Sequence, residues 1–241
     1  MNKKNKPKKS NNAIIGSSLE KFHLKSLDLT EKQKNFLITA LDDNTKVFFV
    51  SGPAGSSKTY ISVYAALRML SIDKELDLLY VRTIIESADK GLGALPGDLE
   101  DKFNPYIMPL MEKLSEILPS NTTAKNDLLQ NGRIDAMPIN FLRGTSWRNK
   151  IVIMDEAQNA TYKELITLIT RLGDNCKLFL CGDLMRSDIN GKSGYGQMID
   201  IFDDQESKKR GIHTFKFNNS DIKRSAILKY IISKLNKKNE R

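Results

Sequence analysis

Eight consecutive residues, Gly52-Pro53-Ala54-Gly55-Ser56-Ser57-Lys58-Thr59, have the types and order needed to hold a phosphate chain. Small residues let backbone N–H groups approach phosphate oxygens. A helix that starts there adds unpaired donors and the positive end of its dipole. Lys58 is placed to reach the β- and γ-phosphates of a nucleotide, and Thr59 to hold Mg²⁺. The usual pattern has glycine where this chain has Ser57. A Cβ fits there if the backbone stays right-handed, and otherwise crowds the loop.

A second group lies about a hundred residues on. Ile151-Val152-Ile153-Met154 ends in Asp155-Glu156-Ala157-Gln158. An apolar strand that delivers two acids supplies Asp155 as a Mg²⁺ ligand through its water shell. It also supplies Glu156 to orient or deprotonate an attacking water. Two acids after a strand are ordinarily a solvated strand end; following a phosphate loop, they point to phosphoryl chemistry. Cys181-Gly182-Asp183 closes the next apolar run, which places Asp183 either beside the same crevice or in a turn that caps the following segment.

These groups need a scaffold that brings strand ends together. KVFFVS (46–51), LDLLYV (76–81), IVIM (151–154) and KLFLC (177–181) read as buried strands, and GIHTFKF (211–217) as an edge strand. Helical spacing appears at 57–70 and over Phe103, Ile107, Leu110, Met111, Leu114 and Ile117. Pro105 suits the first turn of that second helix, and Pro109 should bend it or delay its regular start. Residues 119–133 read as a polar excursion, and 134–142 as a short strand and turn. Thr161 and Glu164 form a capping box ahead of Leu165, Leu168, Ile169 and Leu172, with Gly173 as the C-cap. Ile222, Ala226, Ile227, Tyr230 and Ile231 mark a final helix. Strands alternating with helices predict an α/β fold, a single P-loop domain with a mainly parallel sheet flanked by helices. No internal repeat is present.

Charge adds little to this. The 241 residues carry a net charge of +9, of which five fall in residues 1–10 and three in 231–241. The domain between is nearly balanced. The tails suit either phosphate contact or simple solvation. No stretch approaches the roughly 18 apolar residues of a membrane span. The basic N-terminus leads into no apolar segment, unlike a secretory signal. Cys176 and Cys181 lie five apart, hence on opposite faces of a strand, and read as buried thiols of a reducing, cytoplasmic setting.

The ordered motifs resemble the PhoH-like family, phosphate-starvation-inducible ATPases related to superfamily-one helicase cores. The resemblance covers about 28–235, so 1–18 and 237–241 read as basic tails around a domain at 19–236. LDLTEKQKNFLITAL resembles the family's upstream glutamine motif, which implies Gln33 near an adenine. GPAGSSKT matches GPAGTGKT apart from Ser56 and Ser57. Arg82, Glu86 and LGALPGDLEDKFNPYIMPL (92–110) are similar to a family-specific stretch, with Thr83 for the usual proline and Ala94 for the aromatic. FLRGTSW (141–147), with Arg143, is similar to an MRGRT segment. DEAQN matches outright, which implies Gln158 as γ-phosphate sensor. GDLMRSDI (182–189) resembles GDxxQxDL, with Arg186 for glutamine. KSGYGQMIDIF (192–202) is loosely similar to a helix start. DIKRS (221–225) resembles the late arginine motif, which implies Arg224 as a γ-phosphate cation in cis or across a subunit boundary.

The resemblance implies an ATP-binding, Mg²⁺-dependent ATPase, with Gly52 to Thr59 on the nucleotide and Thr59 and Asp155 on the metal. It also implies RNA or single-stranded nucleic acid as a partner and a homo-oligomeric, hexameric ring. ATP over GTP rests on Gln33, since no guanine-reading Asn-Lys-x-Asp motif occurs. Ser57 and Arg186, as departures, raise the alternative of a low-turnover nucleotide-dependent switch or assembly protein. A small-molecule kinase is disfavoured, because Glu156 suits a water nucleophile and no acceptor-site lid is evident.

Overall fold

The structure, a computed structural model, describes residues 22–83, 99–120, 123–142, 146–189, 191–222 and the isolated positions 227, 230 and 231, with no side chains over 99–106. Both basic tails, Glu86, residues 92–98, Arg143 and Arg224 lie outside the described residues.

Six strands form one sheet: β1 (Val47–Ser51), β2 (Asp77–Arg82), β3 (Ile134–Pro138), β4 (Lys150–Asp155), β5 (Lys177–Gly182) and β6 (Ile212–Lys216). All pairings are parallel, in the order β3-β2-β4-β5-β1-β6. The continuous apolar runs follow from this, because central parallel strands are covered on both faces. GIHTFKF takes the expected edge. β5 separates the phosphate-loop strand β1 from the acid strand β4, and all three deliver their C-terminal ends to one side.

One face packs under α1 (Glu31–Leu41), α2 (Lys58–Ile72) and α3 (Leu99–Ile117). Its centre is aromatic: the Phe36 and Phe48 rings meet edge-on at 5.3 Å, and Phe48 stacks on Phe179 at 5.3 Å. Such pairs add about 0.5–1.5 kcal/mol each beyond their buried area. The other face packs under α5 (Tyr162–Ile169) and α6 (Tyr195–Phe202), around Phe49, Leu165, Leu168 and Tyr195. Cys181 lies in the first core and Cys176 in the second, as their five-residue spacing requires. No helix among the described residues is long and apolar enough to cross a membrane.

Four local expectations change. α3 starts at Leu99, so Pro105 and Pro109 both lie inside it. A proline forfeits one helical hydrogen bond, but Leu110, Leu114 and Ile117 are fully buried and hold the helix to the sheet. The polar stretch 119–133 contains a short helix, α4 (Ala124–Gln130), anchored by Ala124 and Leu128 one turn apart. The apolar run that began at Leu165 ends at Ile169 with Thr170 as C-cap, so Gly173 is not the cap. Gly173 instead lies against the Trp147 carbonyl, where a Cβ would come within 2.3 Å of the oxygen. Ile222, placed in the final helix by sequence, has extended backbone as the C-cap of a 3₁₀ turn at Asn219–Asp221.

Neither α1 nor α2 has a basic residue in its last turn. The strands supply the missing cations. Lys177, at the start of β5, donates through Nζ to Ala40 O (2.6 Å) and Asp42 O (2.8 Å) at the end of α1. Arg133, just before β3, donates to Asp73 O (3.0 Å) and Leu76 O (2.5 Å) beyond α2. Orphan carbonyls at helix ends need such donors. Burial, and then repulsion from Lys46, push the Lys177 ammonium down to about 8.

Candidate functional site

The phosphate loop runs from the end of β1 to the start of α2, as its sequence requires. Gly55 has φ 83° and Ser57 has φ 64°. Ser57 is the N-cap of α2, yet it is left-handed and makes no side-chain cap bond. The right-handed backbone that would accommodate its Cβ is therefore not what the loop adopts. Ser56 is buried and donates through Oγ to Pro53 O at 2.8 Å, which braces the loop from inside. Lys58 Nζ donates to Gly52 O (2.7 Å) and Pro53 O (3.0 Å). Burial lowers the proton affinity of Lys58, and the carboxylates of Asp183, Glu156 and Asp155 oppose that shift.

Thr59 Oγ1 donates to Asp155 Oδ1 at 2.5 Å, which joins the loop to the acid strand across the position of β5. Asp155 Oδ1 also accepts the Glu156 N–H (3.1 Å), and Oδ2 accepts the hydroxyl of Tyr80 on β2. Tyr80 is fully buried. Burial, then the neighbouring Asp155 charge, raise its hydroxyl pKa well above normal, so it stays a donor. Glu156 is itself left-handed, with φ 56°. Its carboxylate faces Arg82 at 3.8 Å and accepts from Gln158 Nε2 at 2.6 Å. Gln158 Oε1 in turn accepts the Asp183 N–H at 3.0 Å. The ends of β2, β4 and β5 are thus linked through one chain of side chains.

Asp183 fulfils both of its alternatives. Oδ1 accepts the Met185 N–H in a local turn, and Oδ2 accepts the Ala54 N–H of the phosphate loop at 3.1 Å. Gln33 is buried and lines the same crevice. Its Oε1 takes the Thr30 N–H in the α1 capping box, and Nε2 reaches Asp221 O at 3.5 Å. Thr30 Oγ1 donates to Asp221 Oδ1 at 2.9 Å, which fastens α1 to the segment before position 224.

Most of these groups line a crevice of about 640 Å³. Leu27, Leu29 and Gln33 line it beside Asp155, Glu156, Gln158 and Arg186, and Glu112, Lys113 and Glu116 of α3 add a further wall. Of the expected residues, Gln33, Ala54, Gly55, Ser57, Lys58, Thr59, Asp155, Glu156 and Gln158 all line it. Gly52, Pro53 and Ser56 belong to the same loop without lining the cavity. Tyr80 and the α3 wall were not foreseen. A hydroxyl inside the apolar run Leu78-Leu79-Tyr80-Val81 was the available sign for Tyr80. Among the described residues no cluster of three or more His, Cys, Asp or Glu side chains could hold a metal. Thr59 and Asp155 are adjoining hard oxygen donors, and Mg²⁺ is typically held by one or two such groups, waters and substrate phosphates. The donor set fits that ion.

The sequence profile described as PhoH-like protein matches residues 27–236. A PhoH-like protein of Mycobacterium bovis is 31% identical over 205 residues, covering 84% of this chain and 56% of that one. The Protein PhoH of Escherichia coli K12 is 32% identical over 187 residues, covering 77% and 51%. The chain therefore spans little more than half the length of these relatives. Among solved structures, unliganded Pif1 from Bacteroides sp is similar at TM-score 0.38 and 17% identity, covering 86% of this chain and 44% of that one. By a sequence match over residues 27–236, the chain belongs to the PhoH-like protein family.

Proposed function

We propose that the protein binds ATP and hydrolyses it with Mg²⁺ as cofactor, acting on or with RNA or another single-stranded nucleic acid. The observation that carries the reading is the Thr59–Asp155 contact, with Glu156 and Gln158 beside it. Phosphate-loop donors and a strand-end acid pair meet in one crevice, the arrangement phosphoryl transfer needs. The loop amides and Lys58 hold the phosphates. Thr59 and Asp155 would hold Mg²⁺, which would supply charge neutralisation to the phosphates. Glu156 orients a water for attack on the γ-phosphorus and accepts its proton; the bond to the β–γ bridging oxygen breaks, and ADP leaves with that electron pair. Gln158 fixes Glu156 and ties it to β5.

The test is phosphate release from Mg-ATP by the wild type, Lys58→Ala and Glu156→Gln. Losing the general base should slow turnover by about 10²–10⁴-fold. Background-level release by the wild type, unchanged in both variants, defeats the enzymatic reading. The nucleic-acid part rests on the helicase-like motifs and the lysine-rich tails. Turnover stimulated by RNA or single-stranded DNA, and lost as salt rises, is its expected signature. Ring assembly, with Arg224 acting across subunits, predicts a larger mass by light scattering with nucleotide than a monomer gives.

A second reading, a nucleotide-dependent switch with slow turnover, is favoured by Ser57. Its left-handed backbone strains the loop at the residue before Lys58. Under this reading Ser57→Gly speeds turnover; an unchanged rate counts against it.

A further inference from the structure

A second cavity, of about 380 Å³, lies at the other end of the sheet from the nucleotide crevice. It falls between the ends of α1 and α2 and the first residues of β4 and β5, where Leu41, Met69, Ile72 and Ile151 give it an apolar wall. None of its residues serves the chemistry above. Lys177 lines it and is otherwise buried.

The two bonds from Lys177 Nζ, to Ala40 O and Asp42 O, need two hydrogens, and a neutral amine has two. Lys177 can therefore lose its proton and expose a lone pair while both carbonyls keep a donor. An exposed lysine gives up the hydration of a full charge instead. The surroundings favour the loss. Burial and then Lys46 bring the ammonium down to about 8, against the attraction of Asp43 and Asp42. Arg68 and Asp73 complete the charged lining from the α2 side. A desolvated lysine amine in such a pocket is a nucleophile near neutral pH.

The cations decide which electrophile suits it. Lys46 Nζ is bonded to Asp43 O at 2.7 Å, and Arg68 is exposed where it lines the cavity. A guanidinium matches the oxygens of a phosphate leaving group, and the apolar wall accommodates a short acyl chain.

We propose that Lys177 is an acylation site, modified without an enzyme by small acyl phosphates. The amine lone pair attacks the acyl carbon. The bond from that carbon to the phosphate oxygen breaks, phosphate leaves with the electron pair, and the amine proton passes to solvent. Nothing is oxidised or reduced. The amide product keeps one hydrogen where the amine had two, so Ala40 O or Asp42 O loses its donor and the end of α1 is held less firmly.

The experiment incubates the folded protein with acetyl phosphate at a series of pH values and follows each lysine by peptide mass spectrometry. Near neutral pH, Lys177 should react about tenfold faster than the exposed Lys74 and Lys163. Its rate should level off above about pH 9 while theirs keep rising. In guanidinium, where the cavity is gone, the advantage should vanish. Arg68→Gln should slow Lys177 about threefold toward acetyl phosphate and leave its reaction with the uncharged N-hydroxysuccinimide ester of acetate unchanged. Protein synthesised with acetyl-lysine at position 177 should have a lower thermal midpoint than the unmodified chain. Lys177 reacting no faster than Lys74 and Lys163, or an advantage that survives in guanidinium, overturns the site. An Arg68→Gln variant that treats the two reagents alike overturns the choice of acyl phosphate. An unchanged midpoint in the acetyl-lysine protein overturns the effect on α1.

Discussion

Replacing Ser57 by glycine should stabilise the protein, although it removes a side chain from a helix N-cap. Ser57 sits at φ 64°, ψ 22°. A Cβ in the left-handed region costs roughly 1–2 kcal/mol. Glycine's greater freedom in the unfolded chain returns roughly 0.5–1 kcal/mol of that. The hydroxyl makes no cap bond, so nothing further is lost. The net gain is about 0.5–1 kcal/mol. For a domain of this size that corresponds to about 1–4 °C in thermal midpoint. Trp147, the one tryptophan in the chain, is buried, so its fluorescence reports unfolding in guanidinium or heat. The slope against denaturant should not change, because the exposed surface is the same. Ser57→Ala separates the causes: it keeps the Cβ and loses the idle hydroxyl, so it should stay within about 0.5 kcal/mol of wild type. A glycine variant no more stable than wild type refutes the reasoning. An alanine variant as stable as the glycine one does so too.

Three further perturbations have definite outcomes. Gly173→Ala puts a Cβ 2.3 Å from the Trp147 carbonyl oxygen; crowding of this kind costs about 1–3 kcal/mol, read as a lower midpoint in the same fluorescence assay. Tyr80→Phe leaves a buried Asp155 oxygen without its donor. That should cost about 1–3 kcal/mol in stability and change the Mg²⁺ concentration for half-maximal turnover, which a Mg²⁺ titration measures. Lys177 holds its proton less tightly in the folded state, with a value of about 8 against the ordinary 10.5. Between those values the unfolded chain binds a proton that the folded chain has lost, so stability rises with pH across that window. Denaturation curves at pH 8 and 10 should show the rise in wild type and a smaller one in Lys177→Met.

Much of the architecture was legible because its signals are local. β1, β4 and β5 are covered on both faces, so each is an unbroken apolar run, and the loop and DEAQ residues occur at their ends. What escaped depends on register or close approach. Tyr80 pairs with Ile153 across β2 and β4, and only that register sets its hydroxyl under Asp155. Glu112, Lys113 and Glu116 look like the solvent face of an amphipathic helix until α3 is laid along the crevice. Gly173 resembles a C-cap in sequence because it closely follows an apolar stripe; the carbonyl that requires glycine belongs to Trp147, 26 positions earlier. α4 offers two apolar anchors within one turn, too few to stand out from a loop.

The strand order also governs when the site can exist. β1, which carries the phosphate loop, pairs with β5 on one side and β6 on the other. α1 finds the donor for its terminal carbonyls in Lys177, 137 positions later. During synthesis the loop at 52–59 therefore emerges long before anything can hold it in shape. Contacts of such sequence separation form late and slowly. Competence to bind a nucleotide should appear in nascent chains only once residues through Lys216 have left the ribosome. Chains stalled before that point would expose the inner faces of β1 and β4, the surfaces on which a holding chaperone acts.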